Sequence, residues 1–259
     1  MSTTSTIASL ENQIFQEECL QGMLRIPADS IDLILCDLPY GTTQCKWDVI
    51  IPFDELWKQY RRIIKSDGAI VLTASQPFTS VLVSSNLKEF RYAWVWEKSK
   101  ATGYLNSKKR PMIAHEDVLI FSKKPTRYFP QMTDGVPYDK GTALRPTDVY
   151  GAQKTTTVKN TDGKRYPRTV QYFKTAESEG PVLHPTQKPL ALFEYLIRTY
   201  SKEGDIVLDN CMGSGTTAVA CLSTNRKFIG FELDASYAQV TEKRIQVYLS
   251  TFTITKPTI

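Results

Sequence analysis

The sequence predicts an α/β fold: a doubly wound, mostly parallel, Rossmann-like sheet with an inserted loop-rich region. Three observations lead there. The apolar runs Ile31–Cys36 and Ala69–Thr73 are nearly continuous, as in strands covered on both faces. Segments with helical spacing of apolar residues alternate with such runs. A glycine-rich stretch around Gly213 and Gly215 lies between a strand pattern and a helix pattern.

Taken in order, Asn12–Gln16 is a short strand and Glu18–Arg25 a helix of a turn or two. Ile31–Cys36 follows as a buried strand. Phe53–Ile64 carries Phe53, Leu56, Trp57, Tyr60, Ile63 and Ile64 at helical spacing. Asp67-Gly68 reads as a turn before the strand Ala69–Thr73, and Phe78–Ser85 suits a helix. Arg91–Trp96 and Val118–Phe121 are two later strands. Leu190–Tyr200 is an amphipathic helix, followed by a strand at Asp205–Asp209, a helix at Gly215–Leu222, a strand at Phe228–Glu232 and a last helix at Ser236–Leu249. Pro125–Pro181 is rich in Thr, Lys, Tyr, Gly and Pro without periodicity, which predicts long loops. The expected division is 1–122 and 183–259 as two parts of one domain, with 123–182 between them.

Composition bounds the function. With 259 residues, 41% hydrophobic and 23% charged, the chain has an ordinary globular make-up. No apolar run reaches the length of a membrane span, and the N-terminus lacks the basic and hydrophobic regions of a secretory signal. Five scattered cysteines without a C-x-x-C pair predict reduced thiols, a cytoplasmic setting and no metal site. Charge is uneven. Glu97–Lys174 holds 16 Lys/Arg against 7 Asp/Glu, while the remainder holds 16 against 20. A basic segment on a mildly acidic body suits phosphate contacts on a nucleic acid, or simply a solvated lysine-rich loop.

Two motifs carry chemistry. In Asp209-Asn210-Cys211-Met212-Gly213-Ser214-Gly215-Thr216-Thr217 the glycines allow a tight turn and close ligand approach at a helix N-terminus. Glu232, at the end of the next strand, can accept from two ribose hydroxyls. Gly213–Ala218 also fits G-x-G-x-x-A, which keeps a nicotinamide or flavin site open. The second motif, Asp37-Leu38-Pro39-Tyr40, ends a buried strand. An exocyclic base amine is a weak nucleophile because its lone pair is shared with the ring. Asp37, with the Pro39 carbonyl, can accept its hydrogens, and Tyr40 can stack on an extruded base. Ligands of doubly wound sheets bind where strand order reverses. If Asp205–Asp209 and Ile31–Cys36 are neighbours there, both motifs face one cleft.

These pieces resemble the β-type amino-methylating (adenine-N6 or cytosine-N4) DNA methyltransferases of phages, prophages and restriction–modification systems. In those enzymes a circularly permuted order puts the catalytic motif before the cofactor motif. The resemblance rests on CDLPYGTTQCKWD, LTASQPF, WVWEKSKATGYLNSKKRP, HPTQKP, LDNCMGSGTTAVAC and GFELDASY, which span most of the chain outside Thr126–Gly180. It implies a methyltransferase acting on double-stranded DNA, associated with the nucleoid through it, with S-adenosylmethionine as donor. Asp37, Pro39 and Tyr40 fall on the catalytic motif. Asp209, Cys211, Gly213, Gly215, Thr216 and Thr217 fall on the donor loop, with Asp37 beside it, Glu232 on the ribose and Glu18 near the adenine. Lys188 lies in the segment beside the donor's methionine end. Thr126–Gly180 covers the target-recognition region. Leu38 stands where the family usually has proline, and Cys211 where it has phenylalanine. The family favours adenine as target; oligomeric state is unreadable, a homodimer included.

Other residues have competing readings. Asn106, Lys108, Lys109 and Arg110 form a cationic loop suited to DNA phosphates. Ser75-Gln76-Pro77-Phe78 lines the base channel or starts a helix capped by Ser75. Trp94, Trp96 and Tyr104 read as core or wall, and His184 as a loop histidine that positions backbone. No cysteine follows a proline, which argues against a cytosine-C5 thiolate mechanism. A DNA-binding partner that keeps the fold without catalysis is the reading from another class.

Overall fold

The computed structural model describes residues 6–45, 47–143 and 156–254. In chain order the elements are β1 (Gln13–Gln16), α1 (Cys19–Met23), β2 (Ile31–Asp37), α2 (Phe53–Ile63), β3 (Ile64–Ala74), α3 (Phe78–Ser85), β4 (Phe90–Thr102), β5 (Ile113–Phe121), β6 (Tyr138–Ala143), β7 (Thr156–Asn160), β8 (Val170–Phe173), α4 (Leu190–Tyr200), β9 (Ile206–Asp209), α5 (Thr216–Ser223), β10 (Lys227–Glu232) and α6 (Ala235–Ile254).

Eight strands form one sheet in the order β1-β10-β9-β2-β3-β5-β4-β8. Only β5 runs against its neighbours in it. The sheet is therefore the mostly parallel one expected. Alternate residues of β2 serve both faces, because strand side chains alternate. Ile34 and Cys36 join a core with Met23, Trp57, Tyr60 and Phe121; Leu33 and Leu35 join another with Phe193, Leu196, Tyr200 and Phe228. Helices on both faces explain why β2 lacks a polar side. The N-terminal strand group closes on the C-terminal one through β2 and β9, where Leu33 pairs with Val207 and Ile34 with Leu208. That adjacency is what brings the two motifs together.

Helix α2 opens with Asp54 and Glu55 and ends with Arg61 and Arg62, matching the helix dipole. It buries Leu56, Trp57, Tyr60 and Ile63. Burial of each such side chain stabilises by roughly 1.5–3 kcal/mol. The Tyr60 hydroxyl donates to Asn210 Oδ1, keying this helix to the residue after β9.

Two expectations are corrected. Asp67-Gly68 is not a turn between elements but an irregularity inside β3: Ile31 pairs with Ile64 while Leu33 pairs with Ala69, so the extra residues bulge out. Arg127 holds that bulge, donating to Asp67 at 2.9 Å, to Asp32 at 3.0 Å and to Asp205 at 3.1 Å. Gly68 is required by close approach, since a Cβ there would lie 2.8 Å from the Asp32 carbonyl oxygen. Second, Pro125–Pro181 is not all loop. β8 joins the main sheet beside β4, and β6 pairs with β7. These strands are too short and too polar for periodicity to reveal. The chain divides into one unit of Met1–Phe129 with Thr169–Ile259 and a second of Pro130–Arg168. Residues 144–155 of the expected recognition region lie outside the described residues. No helix among the described residues is long and apolar enough to cross a membrane.

Candidate active site

β2 ends at Asp37 and β9 at Asp209, and both ends open on a cavity of about 560 Å³. Its wall includes Asp37, Leu38, Pro39, Tyr40, Gly213 and Glu232. Leu38, the unusual residue of the tetrapeptide, is 4% exposed and packs in the core beneath it. Tyr40 stacks on Phe78 with ring centroids 4.9 Å apart. Its hydroxyl donates to Asp37 Oδ1 at 2.8 Å, and the Thr73 hydroxyl of β3 donates to the same oxygen. Burial, reinforced by the Asp37 and Glu116 carboxylates, pushes the Tyr40 phenol well above its ordinary pKa, so it remains a donor.

The other oxygen of Asp37 is held by Lys188, whose Nζ lies 2.5 Å from Oδ2. The same Nζ is 3.5 Å from Glu116 Oε2, and Lys98 Nζ is 3.0 Å from Glu116 Oε1. Both lysine side chains are buried. Glu116 Oε2 has no hydrogen-bond partner among the described residues. Burial alone would raise the Glu116 carboxyl; the Lys188 and Lys98 ammonium groups outweigh it and hold it below its ordinary value. Burial likewise opposes the charge on Lys188, and Asp37 with Glu116 outweighs that and raises it. Four alternating charges thus run along one wall.

Across the cavity the loop turns at Gly213, which lines the wall, and at Gly215, which does not, with φ of +55° and +81° in the left-handed region. A Cβ on Gly215 would also meet the Thr241 methyl at 2.5 Å. Glu232 braces the loop, accepting from Gly213 N at 2.7 Å and Asp234 N at 2.9 Å. Burial raises its carboxyl above the ordinary value. Asp209 accepts from Thr217 Oγ1 at 2.5 Å and Cys211 N at 3.0 Å, and burial pushes it up to about 6. Thr216 Oγ1 donates to the Lys188 carbonyl at 3.2 Å, and Ser214 Oγ to Gln187 at 3.1 Å, which fixes the His184–Pro189 segment on the loop. His184 packs against Trp47 and Tyr237, and its Nδ1 accepts from Thr186 N at 3.2 Å. It positions backbone, as its loop setting suggests. Glu18 lines the cavity, with both oxygens capping α1 at 2.9 Å from Leu20 N and Gln21 N.

Several expectations change. Ser75 makes no side-chain cap: the residue before α3 is Pro77, and Ser75 offers only its carbonyl, to Thr79 N at 3.1 Å. Neither Ser75 nor Gln76 is among the cavity's lining residues. Tyr104 is neither core nor wall but 75% exposed. Trp94 and Trp96 are buried, anchored on the Tyr200 hydroxyl and the Phe173 carbonyl. Asn106, Lys108, Lys109 and Arg110 lie in the exposed β4–β5 loop, apart from the cavity wall. Though scattered along the chain, Cys19, Cys36 and Cys211 converge in space beside Asp209 and Asn210, all as free thiols. Burial pushes the Cys36 thiol up to about 12, leaving it a poor nucleophile. No group of His, Cys, Asp or Glu among the described residues is arranged to hold a metal.

Sequence reasoning missed Thr73, Lys98, Glu116 and Asp48. The last accepts from the amides of Gly41, Thr42 and Thr43 at 2.7–2.9 Å and so shapes the chain after Tyr40. Its one signal is an acidic residue closing the CDLPYGTTQCKWD stretch.

The sequence matches the DNA methylase family over residues 31–243. It is 28% identical over 253 residues to the type II methyltransferase M1.MboII of Moraxella bovis, covering 87% of this chain and 93% of the relative. Identity to the DNA adenine methyltransferase YhdJ of Escherichia coli K12 is 28% over 262 residues, 90% of this chain and 82% of the relative. The M1.HpyAVI-SAM complex has a similar fold, with TM-score 0.62 at 24% identity, covering 90% of this chain and 98% of that one. So has the PvuII cytosine-N4-specific DNA methyltransferase, with TM-score 0.63 at 17% identity and coverage of 92% and 91%. The match runs from β2, which carries Asp37, through the glycine loop and into α6, and on it the chain belongs to the N6/N4 DNA methylase family.

Proposed function

We propose that the protein transfers a methyl group from S-adenosylmethionine to the exocyclic amino group of a DNA base turned out of the duplex, adenine N6 in preference to cytosine N4. The observation that carries this reading is the meeting of Asp37 with the Gly213–Gly215 loop at one cavity. The wall suits the donor. Glu17, Glu18, Asp37, Asp48, Glu116, Glu177, Asp209 and Glu232 line the cavity against Lys98 and Lys188, an excess of carboxylates that favours a cation. A Cβ on Gly213 would point toward the His184 ring at 3.7 Å, into space that the missing side chain leaves open. Each Glu232 oxygen takes one amide hydrogen and keeps capacity for a ribose hydroxyl. A volume of about 560 Å³ is within the range of small-ligand sites.

When bound, the donor supplies an electrophilic methyl group on a sulfonium centre. The chain's own residues prepare the acceptor. Asp37 and the Pro39 carbonyl accept the two amine hydrogens and draw the nitrogen lone pair out of conjugation. Tyr40 and Thr73 hold Asp37 by its first oxygen. Lys188 neutralises the second in the resting site and has Glu116 Oε2 as its alternative partner, so the oxygen is released as the amine arrives. No covalent enzyme intermediate is required: the amine nitrogen takes the methyl group as that carbon's bond to sulfur breaks, sulfur leaves as a neutral thioether, and the surplus amine proton passes through Asp37 to solvent. Adenine is favoured by the family resemblance and by YhdJ, which is named an adenine methyltransferase. The fold shared with a cytosine-N4 enzyme keeps cytosine as the second reading.

The test is expression in a methylation-free host followed by sequencing that detects modified bases. N6-methyladenine in one short context is expected, and N4-methylcytosine instead would move the target to the second reading. Unmodified DNA, together with no tritium transfer from labelled donor in vitro, would overturn the assignment.

A further inference from the structure

The β4–β5 hairpin carries a feature that the chemistry at Asp37 does not use. Its loop presents two adjacent apolar side chains to solvent, Tyr104 at 75% exposure and Leu105 at 96%. Isolated exposed apolar residues need no explanation, but this pair is built into place. Gly103 turns the chain at φ +88°, and the turn is closed by Asn106 N on the Gly103 carbonyl at 3.0 Å and Ser107 N on the Tyr104 carbonyl at 2.9 Å. Lys109 N and Arg110 N then bond the Asn106 carbonyl at 2.8 and 3.0 Å. The result is a hydrogen-bonded knuckle that leaves its apolar pair exposed.

Its surroundings point to one partner. Around the turn the sequence holds Lys100, Lys108, Lys109 and Arg110, and no acidic residue lies between Glu97 and Glu116. The knuckle grows from the cavity wall: Trp96, Lys98 and Thr102 of β4 line the cavity, as does Glu116 of β5. Leu105 is three residues beyond Thr102, so its Cα lies within about 11 Å of that wall at 3.8 Å per residue. An apolar pair flanked in sequence by cations, on a loop that grows from the wall of the cavity proposed to receive the base, matches the side chains that proteins wedge between base steps.

We propose that Tyr104 and Leu105 enter the duplex at the target step and fill the space the departing base leaves, while Lys108, Lys109 and Arg110 hold the adjacent phosphates. This rests on the reading of the cavity as a site for an extruded base. A wedge lowers the cost of extrusion and adds nothing once the base is already unpaired.

That asymmetry is the test. Methyl transfer by the unaltered protein and by a Tyr104→Ser/Leu105→Ser double variant is measured on two duplexes carrying the mapped site. In one the target base is paired; in the other it faces an abasic position. On the paired duplex the variant is expected to lose about tenfold or more in rate, the effect of about 1.4 kcal/mol on a barrier. On the abasic duplex it should recover to within about threefold of the unaltered protein. Both side chains are exposed, so folding is not at stake, and donor affinity serves as the control. An equal loss on both duplexes, or no loss on either, overturns the wedge alone. Absence of transfer by the unaltered protein to both duplexes overturns the underlying reading, and the wedge with it.

Discussion

The glycine-loop wall and the β4–β5 hairpin flank Asp37 from opposite sides of β2 in the sheet, and they are made of opposite materials. The first is buried and tied down. Gly213 N, Asp234 N, Thr217 and Cys211 N are all bound to the carboxylates of Glu232 and Asp209. The second ends in an exposed cationic loop whose hydrogen bonds are local. A small donor of fixed shape calls for a preorganised pocket, where rigidity saves ordering entropy on binding. A duplex is engaged through phosphates, where charge matters more than fit. The contrast explains why carboxylates dominate inside the cavity while lysine and arginine dominate at its hairpin edge.

Asp37, between the two walls, is where a substitution costs most. Asp37→Asn keeps the shape but weakens acceptance of the amine hydrogens. We expect tritium transfer to fall about 10³-fold, with donor affinity by equilibrium dialysis within about threefold. Retained turnover would remove Asp37 from the chemistry.

Next comes the buried wall. Burial raises Asp209 to about 6 in the folded protein, whereas an unfolded aspartate titrates near 3.9. Between those values the folded state keeps a proton that the unfolded chain has released, so stability falls as pH rises from about 4 to about 6 and is flat above. The contribution is on the order of 3 kcal/mol. Asp209→Asn should flatten that segment in urea titrations across the same pH range. An unchanged slope would place the titration elsewhere.

The smallest effect belongs to the hairpin. Replacing Lys108, Lys109 and Arg110 by alanine should leave donor binding untouched. DNA binding should weaken, and the slope of log affinity against log salt should become shallower by about 0.9 for each phosphate no longer neutralised. A slope equal to the parent's would dissociate this loop from DNA.

Much of this architecture is legible in the sequence. α3 and α4 have the bounds read from the sequence, and β2 and β9 differ from that reading by a single residue at one end. The bulge at Asp67-Gly68 reads as a turn because both situations select the same residues. β8 escapes notice because Val170–Phe173 is too short for alternation to register. Tyr104 reads as core or wall because an aromatic residue gives no local sign of which way its chain segment points.

The alternation of strands and helices, the glycine loop and the Asp37 motif, as chemistry suited to an amine, are legible in the chain alone. Local periodicity and turn stereochemistry are written in neighbouring residues, so they can be read there. Folding, not spacing, sets Leu33 beside Val207, brings Lys188 across 151 positions to Asp37, and leaves Glu116 Oε2 3.5 Å from the same ammonium. Such pairings depend on strand register and on which charges burial forces together, and neither leaves a mark in the spacing along the chain.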